Sequence, residues 1–466
     1  MNKELNQDKK TSTRKLIIIL IGIVVYIVLT ILPTPDGLAY EGQKSIALMI
    51  CALIFWVLDA LPISVTALLF TVMQPLLGIV NPGAMASNFL PSSFFFTLSC
   101  FLIGQALLET GLGNRIVLLL LRASKNNPHK LLFLLMGVTS LISFVIANLA
   151  LSAMMLPLMM KIFEENDLKP MQSKFAKAML IGVPVAISIG GCGTPAGALP
   201  NYQVMSLTQQ VTGVTITFWK WFALGAPLAI ILTLLSYVIV ITVFKPEMKE
   251  LKNIDYNQRI KDLGGITARE IIFVVIFALL IASWFVFPNI PMPVTAIVAC
   301  AIFFLPKLHI LNGESFVKAV NWPVLMLLCG STGLAMAIFQ TGGAGWIANT
   351  VLQPFQSGSL IVIIAVLIFL TIYMHLLVPP NPSLVAVLVP IVGLFAMNMG
   401  VSVMVLILPL AYAANCAFLV PFDPVVGLTY STGYYSMKDL PKVGVPISVV
   451  WIIVGTALMA LFGMHF

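Results

Sequence analysis

The chain is a succession of long apolar runs separated by short polar loops. Hydrophobic residues make up 60% of it and charged residues only 9%, with a mean hydropathy of +1.04. A soluble domain carries about a quarter charged residues, whereas a helix that crosses a bilayer needs about 20 consecutive apolar residues. The sequence therefore predicts an all-α integral membrane protein with almost no room for a soluble domain.

Several apolar runs are too long for a single crossing. The runs over residues 130–163 and 360–398 each fit a helix that enters the membrane, turns and returns on the same side. The runs over 175–212 and 401–431 each fit one helix that is broken midway. With these assignments we expect about 11 transmembrane helices plus two re-entrant hairpins.

Each expected hairpin has an asparagine at its turn. Asn148 lies in an otherwise apolar run and Pro157 follows nine residues later, and Asn381 and Pro390 have the same spacing. The prolines that flank the second asparagine are Pro379, Pro380 and Pro382. Unwound backbone at membrane depth is tolerated only where it is buried in protein or lines a cavity. Paired interruptions in two halves of a chain indicate the binding site of a transporter.

Short motifs recur in the same order in both halves. The pairs are 62–67 with 291–296, 109–111 with 340–342, Asn148 with Asn381, and 225–227 with 444–446. We therefore divide the chain into a tail and first helix (1–40), repeat 1 (41–244), a polar linker (245–268) and repeat 2 (269–466). With five spans per repeat, the second repeat enters from the opposite side, which is the inverted repeat of an alternating-access transporter.

Positive charge supports this arrangement. With the N-terminus in the cytoplasm, the loops expected outside hold no Lys or Arg, and only Lys44 and Lys220 lie near outer ends. Cytoplasmic loops of membrane proteins are rich in Lys and Arg, which explains the net charge of +8 better than nucleic-acid binding does. We expect a multi-pass protein of the inner (plasma) membrane with its C-terminus outside.

The sequence resembles the divalent anion/sodium symporter family over nearly its whole length. The signature of that family is Ser-Asn-Thr at each hairpin tip; this chain keeps Asn148 and Asn381 but has Ala147, Leu149, Pro380 and Pro382 around them. The segment 188–201, with its Gly-rich break, and the segment 415–421 resemble the two broken helices of the family. The resemblance implies a homodimer, a fixed scaffold, and a transport domain that holds both hairpins and moves like an elevator.

A dicarboxylate needs hydrogen-bond donors that do not themselves bury a large charge. Side-chain amides and the backbone N–H groups of helix N-termini supply such donors. We expect Asn148 and Asn381 to bind one carboxylate each, although each could instead cap its own helix. The candidate substrate-binding residues are Asn148, Asn381, Ser152, Ser383, Thr194 and Pro421, with Asn201 of second rank.

A coupling cation needs oxygen ligands, and the two halves differ in how they offer them. The candidates for a cation site, or for a protein charge in its place, are Gly190, Gly191, Gly193, His375 and Asp423. The glycines could expose backbone carbonyls, whereas His375 could carry a positive charge where relatives hold sodium. Asp423 could pair with His375 or cap its broken helix. The segment around Glu109 and Arg115 favours an ion pair or an interfacial helix.

These features favour sodium-independent exchange of dicarboxylates such as succinate, malate and 2-oxoglutarate. The alternative is sodium- or proton-coupled symport of a dicarboxylate or another divalent anion. We expect no cofactor other than possible Na⁺, and no enzyme. The four histidines (His129, His309, His375 and His465) form no metal-ligand motif, and the six cysteines all lie in apolar segments, as small buried side chains do.

Overall fold

The computed structural model describes residues 2–252, 260–308, 310–378 and 380–463, with side chains from residue 12 onward except at 114 and 117. Residues 253–259 of the expected linker lie outside the described residues, as do His309, Pro379 and His465. Everything described is helix, turn or loop, as the apolar runs predict.

The first helix and repeat 1 contain eleven helices. They are α1 (Asn2–Ile31), α2 (Tyr40–Val57), α3 (Ile63–Leu76), α4 (Pro82–Phe89), α5 (Ser92–Thr110), α6 (Leu112–Ser124), α7 (Pro128–Ile142), α8 (Asn148–Glu165), α9 (Lys174–Gly191), α10 (Leu199–Thr212) and α11 (Phe218–Phe244).

The helices of repeat 2 follow in the same order. They are α12 (Ala268–Val286), α13 (Met292–Phe303), α14 (Gly313–Ala319), α15 (Trp322–Gln340), α16 (Gly343–Thr350), α17 (Leu360–Met374), α18 (Asn381–Asn398), α19 (Val403–Ala413), α20 (Pro424–Tyr430) and α21 (Asp439–Leu461), with a 3₁₀ turn at Gln353–Phe355.

Contacts between the repeats are reciprocal. Helix α5 packs on α13 and its counterpart α15 packs on α3; likewise α18 packs on α10 and α8 packs on α20. Two copies of one structural unit that are related by a pseudo-twofold axis make reciprocal contacts of this kind. These contacts support the predicted division into two repeats, in which α2–α11 correspond one by one to α12–α21.

The expected hairpins are present as pairs of helices joined by short turns. Hairpin 1 is α7, residues 143–147 and α8; hairpin 2 is α17, residues 375–380 and α18. Helices α7 and α17 have 15 residues each, so each is roughly 22 Å long. The hydrocarbon core of a bilayer is about 30 Å thick, so these helices are too short to cross it unaided. Their length supports re-entrance.

Nine helices in the described residues are long and apolar enough to cross a membrane. One of them is α18, the second leg of hairpin 2, while the shorter α3 and α13 fall below the length limit. The broken helices α9 and α19 lie at the centre, and every side chain of α19 is buried. Helix α1 lies at the edge, and only 11% of its membrane-spanning part is buried by the rest of the chain.

Helix α6 follows a left-handed glycine, Gly111, and is fixed by Arg115. This guanidinium donates to Glu270 (Nε to Oε1 2.8 Å) and to the carbonyls of Gly264 and Gly265. Arg115 therefore pairs with Glu270 and not with Glu109, which accepts from Gln105, and of the two expectations for this segment the interfacial helix stays a prediction for α6.

The counterpart of Arg115 in repeat 2 is Trp346, four residues after left-handed Gly342. Its indole N–H donates to the carbonyl of Asp36 at 3.1 Å. Each of these residues thus anchors its helix to the segment that precedes the other repeat. All six cysteines are free and buried, as expected from their apolar surroundings.

Candidate functional site

A cavity of about 160 Å³ lies where the two hairpins meet the two broken helices. Its walls come from α3, α15, both hairpin tips and the ends of α10 and α20. The lining residues are Ile63, Asn148, Leu149, Ala198, Leu199, Pro200, Pro323, Val324, Leu327, Pro380, Asn381, Pro382, Phe422, Asp423, Pro424 and Val425. The two asparagines singled out in the sequence therefore share one cavity.

Four helices begin at this cavity: α8, α10, α18 and α20. The residues that precede the first three are Ala147, Ala198 and Pro380, and none of them makes a side-chain cap. The first N–H groups of a helix lack intrahelical partners and carry the positive end of its dipole. Three uncapped N-termini of helices 14 to 18 residues long thus face one space, which suits an anion.

Neither asparagine caps its helix, because each is the first helical residue rather than the one before it. The segment 192–198 between α9 and α10 is called break 1. The side chain of Asn148 forms hydrogen bonds to hairpin 1 and to break 1. Ser143 Oγ donates to the carbonyl of Ile187 at 2.7 Å, so its one hydrogen is already used. The Asn148 amide therefore lies with Nδ2 donating to Ser143 Oγ (2.6 Å) and to the carbonyl of Gly197 (2.9 Å).

The side chain of Asn381 is fixed through its oxygen, whereas that of Asn148 is fixed through its nitrogen. Its Oδ1 lies 3.1 Å from Nε2 of His375, whose Nδ1 lies 3.0 Å from the carbonyl of Thr371. An imidazole donates from both nitrogens only when it is protonated at both. A neutral ring donates from one nitrogen only, and with the amide in the orientation described, Nε2–H donates to Oδ1, so Asn381 keeps its Nδ2 for the cavity.

Break 1 is built from hydrogen bonds that use the polar residues expected there. Thr194 Oγ1 donates to the carbonyl of Phe144 and accepts from Ala196 N. Asn201 Nδ2 donates to the carbonyls of Gly191 (2.7 Å) and Thr194 (2.8 Å), and its Oδ1 accepts from Asn415. Thr194 and Asn201 thus shape the cavity wall from behind and do not line it.

The glycines at the end of α9 and in break 1 allow hairpin 1 to approach closely. A Cβ at Gly190 would overlap the backbone of Ser140, one at Gly191 would overlap the side-chain amide of Asn148, and one at Gly193 would lie 2.6 Å from the Phe144 ring. The carbonyls of Gly190 and Gly191 already accept from Gly193 N and Asn201. The structure gives these glycines a packing role, and two of the carbonyls expected to be exposed are used internally.

Ser152 and Ser383 lie outside the cavity, contrary to the expectation that they replace the missing hydroxyls. Ser152 Oγ donates to the carbonyl of Val425 at 3.1 Å and so joins α8 to α20. Ser383 lies in the second helix of hairpin 2 and is fully buried, and its Oγ has no hydrogen-bond partner among the described residues. Both side chains are thus enclosed in helix packing and are not directed at the cavity.

Asp423 is the N-cap of α20 at the end of break 2, the segment 414–423. Its Oδ1 accepts from Val425 N at 2.9 Å, and it lines the cavity together with Phe422. Within the described part of the chain it forms no ion pair with His375, so of the two roles expected for it the structure shows the cap. Pro421, two residues before Asp423, is not among the lining residues.

Gln203 was not singled out in the sequence, although it connects three elements beside the cavity. Its Nε2 lies 3.0 Å from Thr332 Oγ1 and 3.3 Å from Ser331 Oγ, both on α15, and 3.1 Å from the carbonyl of Pro382 in hairpin 2. The sequence carries no signal that identifies it, because α10 also contains Gln209 and Gln210, which are exposed, whereas Gln203 is fully buried.

Comparison with known proteins agrees with this geometry. The profile of the family described as "Sodium:sulfate symporter transmembrane region" matches residues 11–466. The chain belongs to this family. Its resemblance to the divalent anion/sodium symporters is thereby confirmed, and it is a multi-pass membrane transporter rather than an enzyme.

Two relatives have similar lengths. The sodium-dependent dicarboxylate transporter SdcS of Staphylococcus saprophyticus is 24% identical over 96% of this chain and 91% of its own. SdcS of Staphylococcus aureus is 25% identical over 94% of this chain and 89% of its own. The crystal structure of the YdaH transporter of Alcanivorax borkumensis superposes with a TM-score of 0.56 at 14% identity, over 84% of this chain and 88% of that one, which shows a shared fold alone.

Proposed function

We propose that this protein transports a C4 or C5 dicarboxylate, such as succinate, malate or 2-oxoglutarate, together with sodium. The observation that carries this proposal is the meeting of three uncapped helix N-termini and the Asn381 amide at one cavity. Backbone N–H groups and an amide donate to carboxylate oxygens without adding a buried counter-charge. The names of the two SdcS relatives support both the dicarboxylate and the sodium.

The two asparagines take different roles in this proposal. Asn381 Nδ2 donates to a substrate carboxylate, because its Oδ1 is held by His375. Asn148 Nδ2 is used by hairpin 1 and break 1, so its Oδ1 is the atom left to face a ligand. An oxygen beside the C-terminal end of α9 suits a sodium ion, since half-helix C-termini and unwound carbonyls coordinate coupling cations in transporters.

Uptake of labelled succinate into proteoliposomes tests the proposal. A sodium gradient should drive accumulation into vesicles that contain no dicarboxylate, and choline in place of sodium should abolish it. Vesicles without protein give the background. Absence of succinate uptake under every gradient would contradict the proposal.

Exchange of one dicarboxylate for another is the second candidate, and His375 favours it. His375 lies at the tip of hairpin 2 in contact with Asn381, and when protonated it would place a protein charge beside the anion site and reduce the need for a cation. In that case uptake requires internal dicarboxylate and is equal in sodium and choline. The same vesicles, loaded or empty, separate the two candidates.

We further propose a homodimer with a moving transport domain, an N-terminus in the cytoplasm and a C-terminus outside. Light scattering of the purified protein should give twice the chain mass of 50.5 kDa. Cysteines introduced by Ser12→Cys and Phe462→Cys, both at exposed positions, report the orientation, because all six native cysteines are buried. An impermeant thiol reagent applied to intact cells should label only the second variant.

A further inference from the structure

The cavity is not electrically symmetric, although the fold around it repeats. Ala198 precedes α10 and Asp423 precedes α20, and these two helices are counterparts in the repeats. Ala198 provides no side-chain cap for α10, whereas the carboxylate of Asp423 accepts from Val425 N. Repeat 2 therefore brings a carboxylate to the cavity at the position where repeat 1 has a methyl group.

The carboxylate of Asp423 has further capacity to accept hydrogen bonds. A carboxylate offers two oxygens and about four lone-pair sites, and one oxygen of Asp423 has the single partner Val425 N. Asp423 is partly exposed towards the cavity and is the one ionisable residue among those that line it in the described chain. The described residues place no lysine, arginine or histidine in an ion pair with it.

The cavity therefore has two chemically different sides. The ends of α8, α10 and α18 and the Asn381 amide attract carboxylates, while Asp423 repels them and accepts from a donor. Like charges about 4 Å apart repel each other strongly where the surroundings are partly buried. A hydroxyl or ammonium group next to a substrate carboxylate would instead donate to Asp423.

We infer that Asp423 determines specificity, by selecting dicarboxylates that carry a hydroxyl or ammonium group over unsubstituted ones. This inference rests on the proposed dicarboxylate transport and names the substrate class within it. In the bound state the substituent donates to the free carboxylate oxygen of Asp423. Both substrate carboxylates then lie on the side of the three uncapped helices and Asn381.

Competition in proteoliposomes tests the inference with the full-length chain. Unlabelled succinate, L-malate and L-aspartate compete against labelled succinate, and the inhibition constants are compared within each variant. In the native protein malate or aspartate should bind about tenfold better than succinate, which is the size expected for a hydrogen bond to a charged group. Preference for malate identifies a hydroxyl ligand, and preference for aspartate an ammonium ligand.

Asp423→Asn and Asp423→Ser should bring that ratio towards one, chiefly by raising the affinity for succinate, because the charge that repels its carboxylates is removed. Both replacements can still cap α20, so they are expected to fold, and retention on size-exclusion chromatography checks this. Ala198→Asp is the reciprocal variant, which adds a carboxylate in repeat 1 and should weaken all three anions. Asp167→Asn, at an exposed loop, is the matched control and should change nothing.

The outcomes separate this inference from the proposed function. If the native protein carries none of the three anions, dicarboxylate transport itself fails. If it carries all three with equal affinity, or if the preference survives in Asp423→Asn and Asp423→Ser, the inference is overturned and dicarboxylate transport stands. Loss of succinate transport in both folded variants would also overturn it, because Asp423 would then be needed for transport rather than for selection.

Discussion

The two hairpin tips of this transporter have the same asparagine and use it in opposite ways. In repeat 1, Asn148 donates its Nδ2 to Ser143 and Gly197, which fixes the tip to break 1. In repeat 2, Asn381 turns its Oδ1 to His375 and keeps Nδ2 for the cavity. The comparison teaches that a repeated side chain at a pseudo-twofold site need not have a repeated role, because its neighbours decide which of its atoms is free.

The largest expected effect comes from Asn381→Asp. This change keeps an oxygen towards His375 and replaces the cavity-facing donor with a second oxygen, which repels a substrate carboxylate. We expect kcat/KM for succinate uptake to fall at least ~100-fold, since a repulsion of about 4 kcal/mol is available at 4 Å near a protein surface.

Asn148→Asp is the matched comparison, because it brings the same charge to the cavity but removes the donation to Ser143 and Gly197 instead of a donor to the substrate. Its loss of kcat/KM should be about tenfold, the size of one or two ordinary hydrogen bonds. If Asn148→Asp proved the more damaging change, the assignment of the two amides would have to be reversed.

The next largest effect tests the close packing of hairpin 1. Gly190→Ala places a methyl group into the backbone of Ser140, and the resulting overpacking should lower the free energy of unfolding by about 1–3 kcal/mol. Thermal unfolding in detergent measures the change.

Gly137→Ala provides the control within α7, because a Cβ there meets no atom within 4 Å. It should be neutral or should stabilise the helix by about 0.5–1 kcal/mol. Equal destabilisation by both alanines would mean that hairpin 1 does not pack on break 1 as described.

A smaller effect is expected at His375. His375→Leu removes the donor that orients Asn381, so the amide can rotate and the KM for succinate should rise about tenfold. His375→Gln keeps an N–H donor and should stay within about threefold of the native protein. A similar KM in all three proteins would show that His375 does not position Asn381.

The smallest effect concerns the anchor of α16. Trp346→Phe loses one hydrogen bond to Asp36 and should lower the free energy of unfolding by about 1 kcal/mol without changing KM. Trp219→Phe, at a side chain that is 58% exposed, is the control and should have no effect. A changed KM in Trp346→Phe would show that this anchor reaches the cavity.

The helices could be predicted from the sequence because apolar length and proline position dictate them. The expected hairpins 130–163 and 360–398 correspond to α7–α8 and α17–α18, and the expected breaks lie between α9 and α10 and between α19 and α20. Membership of the family agrees with the resemblance found at the hairpin tips. The division into repeats and the inverted orientation remain predictions, supported by the reciprocal helix contacts.

The details of the site could not be predicted in the same way. Asn148 and Asn381 share a cavity as expected, but spacing along the chain does not tell which amide atom is engaged. Ser152 and Ser383 looked suitable because they follow the asparagines closely, yet their helical positions direct them into packed interfaces. The partner of Arg115 lies across the linker, at a separation in sequence that no local pattern reveals.

Gln203 has a consequence for the speed of any elevator movement. If α10 and hairpin 2 slide along α15, the bonds from Gln203 to Ser331 and Thr332 must break before new ones form. Each such bond contributes about 0.5–1.5 kcal/mol. In that case this one side chain would raise the activation energy of translocation and stabilise the transport domain in the position seen here. Replacing it with leucine should leave affinity alone and flatten the temperature dependence of the turnover rate.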